Sequence, residues 1–163
     1  MSKIQVYFGE GKGKSLAAMG YAIKKISEGK QVIIVSFLKG KLYENQEMIE
    51  RLEPELKVLT FETGTKKYEE LTKEEKEEQN SKIINALNYV RKVMDTSECD
   101  LLILDEVLGL VDNDVISESQ LHELLLYPSS ELEIMLTGRK LIQSVAQMAE
   151  HVNEIITYEK KEK

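Results

Sequence analysis

Gly9-Glu10-Gly11-Lys12-Gly13-Lys14-Ser15 gathers glycines, lysines and a hydroxyl into one short stretch. Those residue types in that order suit the holding of a chain of phosphates. Glycines let the backbone curl until its N–H groups point inward, and a helix starting at the end of the loop aims its positive terminus at the same place. Lys14 supplies a point charge for the outer phosphates, and the Ser15 hydroxyl supplies an oxygen ligand for Mg²⁺. In the common form of this loop a glycine stands five residues before the closing Gly-Lys. Here that position is Phe8, so the loop is shorter by a residue. A glycine-rich turn with no ligand is the plain alternative, but the context opposes it. Ile4-Gln5-Val6-Tyr7-Phe8 reads as a strand leading in, and Leu16-Ala17-Ala18-Met19-Gly20-Tyr21-Ala22-Ile23 reads as a helix packed on a sheet.

A second chemical element lies about 90 residues further on, where Leu101-Leu102-Ile103-Leu104 ends in Asp105-Glu106. A buried strand closing on acids places a carboxylate at the sheet edge beside such a loop, to hold Mg²⁺ directly or through water. One Mg²⁺–triphosphate requires both elements, which makes the pair more specific than either part. If strand geometry continues past Asp105, the two acids face opposite sides, one toward metal and one toward water or a neighbouring side chain. A third strand end, Ile134-Met135-Leu136-Thr137-Gly138, is followed by Arg139. Its guanidinium would meet phosphate as a fixed fork; a helix cap or a surface ion pair is the other reading of this arginine.

The elements that must position these groups alternate along the chain. Strand-like runs are expected at 4–8, 31–37, 57–61, 101–104, 133–136 and 154–158. Helices are expected at 14–28, 44–52, 73–94, 117–127 and 141–150. Ser117 with Gln120 three positions on forms a capping-box start, and Pro128 stops that helix. Several strand runs are apolar throughout, as expected for a sheet covered on both faces. The expected fold class is α/β, a RecA-like P-loop domain with a mostly parallel sheet of about six strands and helices on both faces. The 163 residues suffice for one domain, taken as 1–163. Segment 66–80, dense in Lys and Glu, reads as a loop leading into an exposed helix face.

Composition narrows the function classes. Hydrophobic residues make up 42% and charged residues 31%, as in an ordinary globular protein. A formal charge of −7 without a basic block argues against a nucleic-acid partner. Cys99 is the sole cysteine, which excludes a disulfide framework or thiolate metal site and suits a small core residue. No run approaches the ~20 apolar residues that span a bilayer, and no signal-peptide pattern opens the chain. A cytoplasmic protein with no membrane partner is expected.

Taken together these pieces resemble the corrinoid adenosyltransferase family of the BtuR/CobO type. The resemblance runs through the short loop Gly9–Ser15, Val35-Ser36-Phe37-Leu38-Lys39-Gly40, Leu104-Asp105-Glu106, Thr137-Gly138-Arg139 and Ala149-Glu150-His151-Val152-Asn153-Glu154, in order, over nearly the whole chain. It implies ATP as substrate, Mg²⁺ as its companion and a reduced corrinoid as acceptor, whose Co(I) attacks C5′ of the ribose while triphosphate leaves. On that likeness Gly9, Glu10, Gly11, Lys12, Gly13, Lys14, Ser15 and Arg139 bind ATP. Ser15, Asp105 and Glu106 serve the metal, and Lys14 and Glu106 take part in catalysis. A flavoprotein reductant and a homodimer are further implications. The departures fall on the corrinoid side. The family's Gly-x-Gly-Phe-x-Trp stretch reads here Gly64-Thr65-Lys66-Lys67-Tyr68-Glu69, and the chain has no tryptophan. Gly64 and Tyr68 are the candidates left for that region.

Two other readings stand beside this one. One is a relative that hydrolyses ATP or uses another acceptor, its corrin pocket lost. The other is a nucleotide-dependent partner-binding module with 66–80 as its recognition element.

Overall fold

The structure is a computed structural model and describes residues 3–38, 46–61, 66–127 and 131–160. Strand β1 (Lys3–Phe8) leads through the glycine loop into α1 (Lys14–Ser27), which returns the chain to β2 (Val32–Ser36). Then follow α2 (Gln46–Glu50), β3 (Leu56–Thr60), a 3₁₀ turn (Tyr68–Glu70) and the long α3 (Lys73–Thr96). The second half runs β4 (Leu101–Asp105), α4 (Leu108–Asp112), α5 (Glu118–Leu126), β5 (Glu133–Gly138), α6 (Gln143–Met148) and β6 (His151–Glu154). All strand pairings are parallel, in the order β3-β2-β4-β5-β1-β6. Parallel neighbours need crossovers, and the helices that supply them cover both faces.

Alternation along each strand divides the core in two. Val32, Ile34, Leu101, Ile103 and Met135 face α1, where Ala18 and Ala22 let the helix approach closely. Ile33, Val35, Leu102, Leu104, Ile134 and Leu136 face the other way, against Ile83, Ala86 and Val90 of α3, Leu121 and Leu124 of α5, and Val145 of α6. Strands β2 and β4 are apolar up to their last residue because they have two dry faces. The same alternation places Asp105, two residues after Ile103, on the α1 side.

Boundaries expected from sequence move by a residue or two at most elements, and the last pair differs more. The run Ile155-Ile156 reads as strand, yet the strand is His151–Glu154, which pairs with Gln5–Phe8 in register Gln5↔His151 to Phe8↔Glu154. The helix before it accordingly closes at Met148 rather than 150. Three of the four side chains in this edge strand are polar and Val152 is exposed, so it carries no apolar signal. Residues 155–160 continue past the sheet edge without regular structure. Helix α4 was not expected at all. Of the helix expected at 44–52, residues 44 and 45 lie outside the described residues, as does Pro128. The Ser117–Gln120 capping box is present: the Gln120 N–H donates to Ser117 Oγ at 3.1 Å, and the Ser117 N–H donates to Gln120 Oε1 at 2.7 Å.

Cys99 is buried, and burial, with Asp100 and Glu98 nearby, pushes its thiol up to about 12. It is the small core residue its context suggests. Among the described residues no helix is long and apolar enough to cross a membrane.

Helix α4 docks on β5 through a single close approach. A Cβ on Gly138 would stand 2.3 Å from Leu108 Cβ and 3.0 Å from Leu108 Cγ. Neither atom can yield, because Leu108 is itself buried. Gly138→Ala is therefore expected to cost about 2–3 kcal/mol through overpacking, read as a lowered urea midpoint with an unchanged slope.

Candidate nucleotide site at the strand C-termini

Helix α1 starts at the end of β1 and crosses the sheet toward β2, passing over β5 and β4 on the way. Its first turn therefore lies above the C-terminal ends of those strands. The Ser15 hydroxyl reaches Asp105, with Oγ 3.1 Å from Oδ1 and 3.0 Å from Oδ2. On the other flank, Thr137 at the end of β5 donates its hydroxyl to Asp105 Oδ1 at 2.6 Å. The same Thr137 oxygen accepts the Glu106 N–H at 2.8 Å. A carboxylate with no solvent exposure is tolerable because such partners surround it.

The loop itself wraps its lysine. Lys14 Nζ donates to the carbonyls of Gly9 at 2.6 Å and Gly11 at 2.9 Å, and the side chain is buried. Gly13, in the left-handed region at φ 105°, precedes α1 without a side-chain cap. The positive end of α1 thus opens on the loop. The outer rim is held from behind. Gly9 N–H donates to the carbonyls of Gly138 and Arg139 at 3.2 and 3.1 Å, and Gly11 N–H donates to Ile155 O at 3.0 Å. Lys12 N–H donates to Thr157 Oγ1 at 2.7 Å. Cβ atoms on Gly9 or Gly11 would each stand 2.4 Å from Ile155 O, so the segment after β6 can lie against the loop only because both are glycine.

The remaining sequence candidates separate. Glu10 and Lys12 are exposed, and the Lys12 ammonium lies 3.6 Å from Glu159, facing solvent and the C-terminal segment. Arg139 is exposed immediately after β5, its backbone against Gly9; among the described residues its guanidinium makes no ion pair. The strand geometry assumed for the acidic pair ends at Asp105. Glu106 sits at φ 64°, in the left-handed region, and turns the chain into α4. Its side chain lies over α4, with Oε1 3.3 Å from where a Cβ on Gly109 would stand, while Asp105 faces Ser15. Leu38, leaving the neighbouring β2 at φ 57°, meets the same spot, with Cδ1 at 3.0 Å. Strained backbone at two adjacent strand exits is typical of ligand clefts, at about 1–3 kcal/mol each.

Tyr68 is buried, its hydroxyl donating to Asn80 Oδ1 at 2.7 Å and its ring 5.5 Å below the Lys76 ammonium. It is packed onto the start of α3. Gly64 lies outside the described residues. Within the segment read as a loop, Thr72 caps α3 through a capping box with Glu75.

Two hydroxyls that the sequence pattern does not single out stand at these strand ends. Thr137 joins the acidic pair, and Ser36, fully buried at the end of β2, has an Oγ with no hydrogen-bond partner. The available signal was a hydroxyl residue closing an apolar strand run, since such an end must carry polar groups only where something polar is received.

The donor set is hard oxygen, the Ser15 hydroxyl and the Asp105 carboxylate, and the Ser36 hydroxyl stands next along the sheet edge. That chemistry fits Mg²⁺, which favours one or two carboxylate or hydroxyl ligands, water and substrate phosphate.

A family model described as ATP:corrinoid adenosyltransferase BtuR/CobO/CobP matches residues 1–162. The corrinoid adenosyltransferase of Escherichia coli K12 is 25% identical, the match covering 93% of this chain and 75% of that protein. Corrinoid adenosyltransferase CobA of Salmonella typhimurium LT2 is similar to the same extent. Among solved structures, the flagellar accessory protein FlaH of Methanocaldococcus jannaschii aligns with a TM-score of 0.53 at 19% identity, covering 90% of this chain and 66% of that one. That likeness bears on the fold alone, which is RecA-like with a P-loop.

Thr137→Val keeps the shape but removes the hydroxyl that accepts the Glu106 N–H and donates to Asp105 Oδ1. It is expected to destabilise by about 2–4 kcal/mol. Thr137→Ser keeps both bonds and should recover most of that loss in the same chemical denaturation experiment.

Proposed function

The chain belongs to the ATP:corrinoid adenosyltransferase family of the BtuR/CobO/CobP type, and on that premise we propose how its own residues divide the work. The enzyme transfers the 5′-deoxyadenosyl group of ATP to the Co(I) of a corrinoid and releases triphosphate. The bond that breaks joins C5′ to its oxygen, so negative charge gathers on the departing triphosphate. The observation that carries the assignment is the contact of Ser15 with Asp105 at the mouth of a loop closed around Lys14.

Lys14 now bonds the carbonyls of Gly9 and Gly11, and it exchanges them for phosphate oxygens when ATP enters. The ammonium and the first N–H groups of α1 then meet the charge where it develops, already oriented. Ser15 and Asp105 hold Mg²⁺, which when bound neutralises part of the triphosphate charge. Glu106, turned over α4, orients groups at the reacting end rather than holding metal. Arg139 approaches the phosphates from the loop's entry, and the Gly9, Gly11 and Gly13 backbone sets the cradle. The Glu10 and Lys12 side chains face solvent; Glu10 contributes through the backbone, and Lys12 holds the loop's shape by donating its N–H to Thr157. Holding C5′ in line with cobalt is the other half of the task. The corrinoid is received beyond the ends of β2 and β3, with Tyr68 at its margin; Gly64, the other residue of that stretch, lies outside the described residues. The acceptor must arrive reduced, which calls for an external electron donor such as a flavoprotein. A cytoplasmic location and a homodimer complete the reading.

Lys14→Ala is expected to weaken Mg²⁺–ATP binding by at least about 2 kcal/mol, about 30-fold in Kd, measured by calorimetric titration, with Lys12→Ala close to wild type. Equal affinity for Lys14→Ala and wild type would remove the loop from the nucleotide site.

Phosphorus NMR of a reaction with ATP and a chemically reduced corrinoid should show intact triphosphate, accompanied by a light-sensitive cobalt–carbon product. ADP and orthophosphate with the corrinoid unchanged would instead identify a hydrolase built on the same site.

A further inference from the structure

One row of side chains runs along the C-terminal edge of the sheet on the α1 side. Adjacent strands contribute Thr60, Ser36 and Asp105 in register, and Thr137 follows on β5 beside Asp105. One pleat earlier the same face is apolar, with Val58, Ile34, Ile103 and Met135. The change from apolar to polar falls where the Ser15 end of α1 passes overhead. Thr137 and Ser36 therefore flank Asp105 from opposite sides. The two hydroxyls are used differently. Thr137 donates to Asp105 and accepts from the Glu106 N–H. Ser36, at 0% exposure, makes no hydrogen bond, the only buried side-chain polar atom among the described residues in that state.

A buried hydroxyl without a partner marks a place that an ion or ordered water fills. Neighbouring strands stand about 5 Å apart, which suits a water between paired side chains. We propose that the Ser36 hydroxyl is a positioning residue of the metal site, hydrogen-bonded to a water carried by the divalent cation that accompanies ATP. This rests on the reading that Ser15 and Asp105 hold that cation. The hydroxyl touches neither the phosphates nor the cation; it fixes one water of the metal's shell and so the orientation of the others. Hydrogen-bonding groups outside the ligand set commonly affect metal affinity by an order of magnitude or more.

The test is calorimetric titration of ATP into wild type, Ser36→Ala and Asp105→Asn over stepped free Mg²⁺ concentrations, with an EDTA arm. Ser36→Ala should raise the Mg²⁺ concentration for half-maximal ATP binding by about tenfold and leave affinity for metal-free ATP within about twofold. Without ligand its melting temperature should equal or exceed that of wild type, because an unmatched buried hydroxyl has been removed. Unchanged Mg²⁺ dependence in Ser36→Ala, with a shift in Asp105→Asn, would overturn the role of Ser36 and leave the metal site standing. No shift in either variant would overturn the metal site and this proposal together. A lowered melting temperature in ligand-free Ser36→Ala, with Mg²⁺ dependence unmoved, would assign the hydroxyl to the fold instead.

Discussion

A carboxylate with no contact with water has to be surrounded by donors, and much of the site follows from that requirement at Asp105. Its partners come from distant parts of the chain, Ser15 from the first helix and Thr137 from the fifth strand. Removing either leaves a charge in a poorly polarisable interior, where the penalty exceeds that of an ordinary lost hydrogen bond. The strand order provides the meeting place, because β4 and β5 are neighbours beneath the path of α1. The close packing of Ala18 and Ala22 on Ile103 and Met135 then fixes the height of Ser15 above the carboxylate. Core and site are thus parts of one arrangement. The residues that bury the sheet's α1 face also set the distances at its edge.

A similar economy governs the other side of the sheet. Glu106 leaves β4 in a left-handed turn, and the N–H freed by that turn is received by Thr137. The turn starts α4, which lies tight on β5 only because Gly138 lacks a side chain. Strain at Glu106, the Thr137 bridge and the absent Cβ at Gly138 support one another. The two residues Thr137-Gly138 therefore serve different faces of the sheet, the hydroxyl toward α1 and the bare Cα toward α4.

Much of this was legible from residue types. The apolar runs 31–37 and 101–104 announced strands buried on both faces, and a glycine loop between a strand and a helix announced the phosphate cradle. The sequence places Ser15, Asp105 and Glu106 at one metal because a triphosphate needs both elements; the structure brings Ser15 to Asp105 and turns Glu106 away over α4. What stayed hidden has physical reasons. The strand His151–Glu154 lies at an edge and buries little, so its pattern resembles a loop, while the apolar Ile155-Ile156 beside it misled. The different orientation of Glu106 depends on a backbone angle that a glutamate adopts only under tertiary constraint. The short α4 has too few residues to show a period. The part played by Thr137 requires knowing that β5 lies beside β4, which no local pattern states.

The segment after β6 has a consequence in time. Among the described residues strand β1 pairs with β5 and β6 alone, and the rim of its loop is tied to Ile155 and Thr157. Residues 3–15 are synthesised well before the groups that shape them: Asp105 comes 90 residues after Ser15, and the strands that flank β1 come later still. Until residues 133–157 emerge, the loop is an open glycine-rich string next to an unpaired apolar strand. The candidate nucleotide site therefore takes form only after β5 and β6 exist, although its loop is translated well before them. During synthesis, β2, β3 and β4 can assemble as a sheet into which β1 is admitted only at the end.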